Sequence, residues 1–444
     1  MNHRLFWTAL IVVVVLLSPV VASAHMEHML ISYYALFQDF YGQKVVVEPL
    51  DEFAYEEREK IAAAIGNADN WSSTHFANYR HVPIQLLVNL KKTSSMRAGN
   101  ALLDAIRVNH KYFGGWYVQR ASTDYYIDAT AQITELADYS NNYYGYHADL
   151  PFFRIKTGDE VDALDVLCTA AEIPDCGLDG GLWEDSASQY ASLYGLGNMP
   201  FGEKRESGQR ASFHAPMYYN DFLTALYPTA QAPYAFYRIK TLREVAKIAF
   251  ETGHPYWGYH FAGLALHYIE DSTFPYHVKM LPGHSDFEVT VAALAEISGT
   301  GKQLRQIIDL TLTEHFLLEF YISSRLIADW NNDGAGRFSL SCANPKYDIK
   351  QSYNDELPKV FLARSAAEEA EAYSLLLDDM TDVEYAQSVL NDRVAKFDKK
   401  FDDIWNLQNK SAMNRLDSLC CKLLGQSGAA ARNFMHGITI LQPN

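Results

Sequence analysis

The chain is short of positive charge, of cysteine and of long apolar runs, and each shortage excludes something. It carries 37 Lys and Arg against 54 Asp and Glu, a formal net charge of −17 spread along its length. Nonspecific grip on nucleic acid depends on Lys and Arg neutralising phosphates, so no nucleic-acid partner is expected. The same balance repels an anionic membrane surface unless bound metal ions supply local positive charge. Five cysteines (Cys168, Cys176, Cys342, Cys420 and Cys421) form no CxxC pair, which argues against a thiolate zinc site. Cys168 and Cys176 are spaced to close a small loop, the odd count leaves at least one thiol over, and all five are read as incidental to the chemistry. Two-residue alternation with turn dipeptides is scarce, and neither an internal repeat nor a low-complexity linker is visible.

What is present begins with MNHRLFWTALIVVVVLLSPVVASA. Arg4 supplies a short basic region, an apolar run follows, and Ala22-Ser23-Ala24 suits signal cleavage. Residues 1–24 are therefore expected to be a signal peptide, with export and a mature chain starting at His25. No later run of eighteen apolar residues occurs, so no membrane-spanning segment is expected after cleavage. Helical periodicity dominates the remainder, as in YRIKTLREVAKIAFETG (Tyr237 to Gly253) and GYHFAGLALHYIED (Gly258 to Asp271). Further helices are readable at FEVTVAALAEI, LRQIIDLTLTEHFLLEFYISSRLIADW and VEYAQSVLNDRVAKFDKKFDDIWNL. The expected fold class is all-α: one large helical domain over 25–444. It would carry a tyrosine- and turn-rich irregular insertion over about 40–182 and a helical extension from about 343.

The chemistry concentrates in HYIEDSTFPYHVKMLPGHSDFE, His267 to Glu288. His267 and Asp271 are four apart, so on a helix both side chains share one face about a turn apart. Their helix is apolar, and a buried charged aspartate without partners is costly unless a cation or hydrogen bonds compensate it. Pro275 stops that helix, and His277 follows the break. His284 and Glu288 form a second four-apart pair opening the next helix. Two such pairs across a proline turn can aim five ligands into one cleft, and imidazole with carboxylate suits zinc. The bland alternative is core histidines beside a solvated acidic cap. His260, seven residues before His267, is expected to be a packed core residue. His75, His81, His110, His147, His254, His315 and His436 lack ligand-like partners in sequence and are read as structural.

HYxxDxxxPxH followed by HSxxE resembles the zinc-dependent phospholipase C family, whose relatives include single-strand nucleases with three zinc ions. The resemblance rests on His267, Asp271, Pro275 and His277, then His284, Ser285 and Glu288. It implies further ligands upstream: Asp185 in GGLWEDSASQY and His214 in RASFHAPMYYN. It also implies that the mature N-terminus, here His25, binds zinc through its amino group and carbonyl, with His28 completing that site. One zinc would then lie among Asp185, His214, His267 and Asp271. A second would be held by His25 and His28 and bridged by Asp271, and a third by His277, His284 and Glu288.

A positive, partly open cavity of this kind takes phosphoryl groups, because metals neutralise non-bridging and departing oxygens. Asp185 is the residue expected to orient the attacking water and accept its proton. The resemblance favours phospholipid as partner, cleaved to diacylglycerol and a phosphorylated head group. A glutamate at the last ligand position tilts towards phospholipase and away from the nuclease branch, which is the alternative enzyme. The non-enzyme alternative is a structural or zinc-storing helical protein with closed ligand shells.

Overall fold

The computed structural model describes residues 27–114, 117–119, 152–199, 211–214, 234–332, 334–381 and 409–439. The expected leader, His25, His147 and the helix read at 383–407 lie outside these residues. The chain is all-α, with two short two-stranded pairings as its described β structure. The helices begin with α1 (Glu27–Phe40), α2 (Leu50–Glu56), α3 (Arg58–His75), α4 (Ile84–Lys92) and α5 (Ala98–Ala105). Next come α6 (Ala163–Glu172), α7 (Ala211–His214), α8 (Tyr234–Thr252), α9 (Pro255–Asp271) and α10 (Pro275–Val278). The last are α11 (Asp286–Ile297), α12 (Gln303–Trp330), α13 (Arg337–Cys342), α14 (Arg364–Met380) and α15 (Lys410–Ile438). Strand β1 (Lys44–Val46) pairs antiparallel with β4 (Glu160–Asp162), and β2 (Tyr117–Gln119) with β3 (Phe152–Arg154).

Helix α9 is the axis of the fold. Its sequence PYWGYHFAGLALHYIED is apolar on every side, as a helix must be to survive full enclosure, and every residue from Tyr256 to Asp271 is buried. It packs against α6, α8, α15 and α1. Gly263 permits the closest of these approaches, since a Cβ there would sit 2.1 Å from the Leu167 carbonyl oxygen of α6. Pro255 opens the helix where its missing N–H costs nothing. Beyond the C-terminus, Phe274 takes the extended conformation that a following proline enforces, and Pro275 starts α10. This sharp redirection folds His277 back over Asp271.

One expectation changes. The stretch 40–182 is not irregular where it is described: α2 to α6 lie within it, and α3 packs on α8. Where it is described, the C-terminal stretch beyond 343 shares the main core, because α15 packs on α1, α9, α13 and α14. All five cysteines are buried and free, so Cys168 and Cys176 form no disulfide. Among the described residues no helix is long and apolar enough to cross a membrane. A separate small core (Leu281, Val289, Ala292, Ala293, Leu304 and Ile308) joins α11 to the N-terminal half of α12. The two form a hairpin, and the C-terminal half of α12 runs on into the main core against α1, α13 and α14.

Candidate metal centre

Asp271, the last residue of α9, is the hub. Its Oδ2 lies 3.1 Å from His214 Nδ1 and 3.5 Å from both His267 Nε2 and His277 Nδ1. Its Oδ1 faces the other way, 3.4 Å from His28 Nε2 on α1, and makes no hydrogen bond. Asp175, in the 3-10 turn that follows α6, faces the same cluster, with its Oδ1 3.8 Å from His267 Nε2 and 3.9 Å from His214 Nδ1. On the opposite flank His277 Nε2 lies 2.9 Å from Glu319 Oε1, and His315 Nε2 lies 2.7 Å from the same oxygen. The two imidazole nitrogens are 3.1 Å apart.

These residues form four overlapping groups whose ligand atoms lie within 4.8 Å of one another: His28, His267 and Asp271; Asp175, His214 and His267; His214, Asp271 and His277; His277, His315 and Glu319. Each offers the nitrogen and oxygen donors of a divalent cation, so buried His/Asp/Glu clusters able to hold a metal ion are a property of this fold.

Backbone acceptors fix which imidazole nitrogens face inward. His267 Nδ1 is 2.9 Å from the Ala171 carbonyl, which can only accept, so Nδ1 carries the proton and Nε2 turns its lone pair towards Asp175 and Asp271. His277 Nδ1 likewise lies 3.2 Å from the His214 carbonyl, leaving Nε2 for Glu319 and His315. His28 Nδ1 bonds Glu270 Oε2 at 2.9 Å, and Ser32 donates to the other oxygen of Glu270 at 2.7 Å. His214 Nε2 points at Asp179 Oδ2 from 3.4 Å without completing a hydrogen bond. Asp179 is itself held by the fully buried Arg238 guanidinium, and Tyr268 Oη donates to it.

The electrostatics are those of a site whose protons stand in for cations. Burial pushes His267 down to about 3, with neighbouring His28 adding to the effect. For His214 burial also opposes the charge, yet the facing carboxylates of Asp179 and Asp271 outweigh it and raise the group to about 9. His28 is raised in the same way, burial being overcome by Asp271 and Glu270. Burial would raise Asp271, but His277, His267, His214 and His28 together hold it well below the usual carboxylate range. The Arg238 guanidinium overcomes the same burial at Asp179 and brings it to about 2. The buried Asp271 Oδ1, which faces His28 Nε2 without completing a hydrogen bond, is a donor atom that a cation between the two would satisfy. A buried carboxylate ringed by imidazoles is stable either with shared protons or with a metal in their place.

Of the nine residues singled out in sequence, five meet here: His28, His214, His267, Asp271 and His277. Three do not. Asp185 is exposed, and its Oδ1 accepts a hydrogen bond from the Met199 amide at 3.1 Å. Glu288 is exposed on the first turn of α11, where it completes a capping box with Ser285. His284 is half-buried beside that cap and belongs to none of the groups. His25 lies outside the described residues. The places intended for Asp185, His284 and Glu288 are taken by Asp175, His315 and Glu319. His315, read as structural, is corrected by its contacts with His277 and Glu319. The signal for it was present, because TEHFLLE sets His315 and Glu319 four apart on a helix, the same spacing as His267 and Asp271. His260 is a core residue, buried against Trp257 and Phe113, with its Nε2 3.2 Å from the Phe113 carbonyl. Searches among family models, curated proteins and solved structures find no match to this chain.

Proposed function

We propose that the chain is an exported zinc metallohydrolase that cleaves the phosphodiester of glycerophospholipids of the phosphatidylcholine type, releasing diacylglycerol and the phosphorylated head group. The observation that carries this reading is the division of Asp271: one buried carboxylate turns Oδ2 towards three histidines and Oδ1 towards a fourth. A carboxylate shared in this way suits adjacent cations, and adjacent cations suit phosphodiesters. Three zinc ions are assigned. Asp175, His214, His267 and Asp271 would hold one; His28 and Asp271 a second, with the amino terminus of the processed chain; His277, His315 and Glu319 the third. When bound, the metals supply Lewis acidity towards the phosphoryl oxygens and lower the pKa of water.

The protein groups have separate tasks. Asp175 is 21% exposed, against 2% for Asp271, so its carboxylate borders the solvent side of the centre. It takes the role that the resemblance gave to Asp185, orienting water and receiving its proton. Arg238 and Tyr268 fix Asp179 behind His214, which limits rotation of that imidazole. Glu270 with Ser32 does the same for His28. The charge objection raised by the composition is met locally, because a net −17 chain still binds a phosphodiester where cations are focused in one cleft.

The test is metal analysis of the purified protein together with release of phosphocholine from phosphatidylcholine, before and after chelation. Zinc in the preparation, activity lost to chelator and activity restored by zinc support the reading. Hydrolysis of single-stranded DNA or nucleotide diesters with phosphatidylcholine untouched would replace it by the nuclease alternative. Tightly held zinc with no hydrolysis of either substrate would make the chain a storage or structural protein. A chain that binds no metal at all overturns every metal reading.

A further inference from the structure

The hairpin of α11 and α12 is closed at its base by the metal centre. His277 precedes it, His315 follows on α12, and the two side chains meet at 3.1 Å. The outer part of the hairpin has its own small core, where Val289, Ala292 and Ala293 of α11 face Leu304 and Ile308 of α12. With that face covered, the other side of α11 would be expected to be polar. It is not: Phe287, Val291 and Leu294 are 76%, 49% and 52% exposed. Their spacing of four and then three residues puts them in one stripe along the helix. Among the described residues no other helix exposes three large apolar side chains.

We propose that this outer face of α11 docks on a lipid surface rich in choline head groups. Phe287, Val291 and Leu294 enter the head-group layer, while the exposed Asp286 and Glu288 meet its trimethylammonium groups. An apolar stripe on an otherwise solvated helix is the pattern of an interfacial helix lying in the plane of a membrane. The usual version is rimmed by lysine and arginine and takes anionic lipid. Here carboxylates sit on either side of the protruding aromatic, and the whole chain is negative, so an anionic surface repels it. The outermost charge of a phosphatidylcholine layer is the quaternary ammonium, which both carboxylates and aromatic faces attract. Docking there would present the substrate layer to the helix pair whose base is the centre itself. That the docked lipid is also the substrate rests on the proposed function; the docking surface does not.

The experiment compares the full chain with Phe287→Ser/Val291→Ser/Leu294→Ser in co-sedimentation with phosphatidylcholine and with phosphatidylglycerol vesicles. Hydrolysis of a short-chain phosphatidylcholine below its micellar concentration is followed in parallel. The expected result is binding of the unaltered chain to phosphatidylcholine vesicles in preference to phosphatidylglycerol. The triple variant should bind roughly tenfold more weakly, with zinc content and hydrolysis of the monomeric substrate unchanged. Equal binding by variant and parent, or preference for phosphatidylglycerol, overturns the proposal. So does a concentration-dependent dimer that the variant abolishes while vesicle binding persists, because a second copy would then be the occupant. Vesicle binding lost in the variant, in a chain that hydrolyses neither substrate, would sink the phospholipase reading and leave the docking surface standing.

Discussion

The two flanks of the metal centre are built from different materials. Asp271, His267, His28 and their supports come from α9, α6 and α1, helices locked into the main core and closely packed at Gly263. His315 and Glu319 come from α12 at the base of a hairpin whose outer half has a core of its own. On the first flank the supports are buried: the Ala171 carbonyl holds His267, Glu270 holds His28, and Arg238 holds Asp179 behind His214. On the second, His315 is 23% exposed and stacks on Tyr276, whose hydroxyl donates to Glu314. The deep flank is preorganised, so its metals should bind tightly and exchange slowly. The hairpin flank has fewer supports, so its metal should leave first.

The largest way to break this contrast is Asp271→Asn, which keeps the shape and removes the shared charge. Hydrolysis is expected to fall on the order of 10³-fold, the weight of several kcal/mol of lost metal-centred stabilisation. Metal analysis should show loss from both groups that share Asp271. Retention of a full metal complement would refute the division of its two oxygens between separate sites.

Next comes an acid test of the core behind the deep flank. His260 is pushed down to about 4 by burial, only partly offset by its bond to the Phe113 carbonyl. The folded imidazole therefore stays neutral while the unfolded one takes up a proton below about pH 6.5. Its contribution to stability is complete above that pH and is lost as the pH falls from about 6.5 to about 4, by up to about 3 kcal/mol. His260→Gln retains a donor to the carbonyl and removes the titration. Urea midpoints at pH 7 and pH 4.5, with chelator present throughout so that metal release does not contribute, should converge more in this variant than in its parent. An identical pH loss in both proteins would contradict the assignment.

On the hairpin flank, His315→Ala should release one metal and leave the deep sites filled. Activity should fall about 10- to 100-fold, less than for Asp271→Asn. Stepwise chelation of the unaltered chain should remove this metal before the others. Simultaneous loss of all metals on chelation would mean the two flanks form one unit.

The uneven legibility of the sequence follows the same division. The deep flank could be read because its ligands sit in one short stretch whose helix period, proline break and apolar context are all local. His267, Asp271 and His277 needed no knowledge of distant parts of the chain. His214 and His28 were reached through resemblance, and α9 brings them to Asp271 by tertiary packing that periodicity does not encode. Asp175 was missed in favour of Asp185 because a single carboxylate in a turn carries no periodic signal. The hairpin hid the rest: the whole of α11 and the first half of α12 lie between His277 and His315. The nearer pair His284 and Glu288, correctly spaced, stood in the way. The helices themselves were mostly legible, since α8, α9, α11 and α12 fall where apolar spacing puts them. The irregular reading of residues 40–182 failed over α2 to α6, where every helix but α3 runs only seven to ten residues and gives weak periodicity.

His284 and Glu288 supply the smallest effect and the finest discrimination. The four-apart spacing of a histidine and a carboxylate has two uses at a helix N-terminus. It can hold a metal, or it can arise beside a capping box whose glutamate is turned back to the helix start. Here the Glu288 carboxylate accepts hydrogen bonds from the amide and hydroxyl of Ser285, and the Ser285 hydroxyl accepts one from the Glu288 amide. The hydrogen bonds from Ser285 also hold the carboxyl below its usual pKa, so it stays ionised for capping. His284→Ala and Glu288→Gln are therefore expected to leave metal content unchanged and hydrolysis within about twofold, with Glu288→Gln loosening only the first turn of α11. If either variant lost a metal that His315→Ala retained, the hairpin would have to be threaded differently through the centre, and the contrast between the two flanks would reverse.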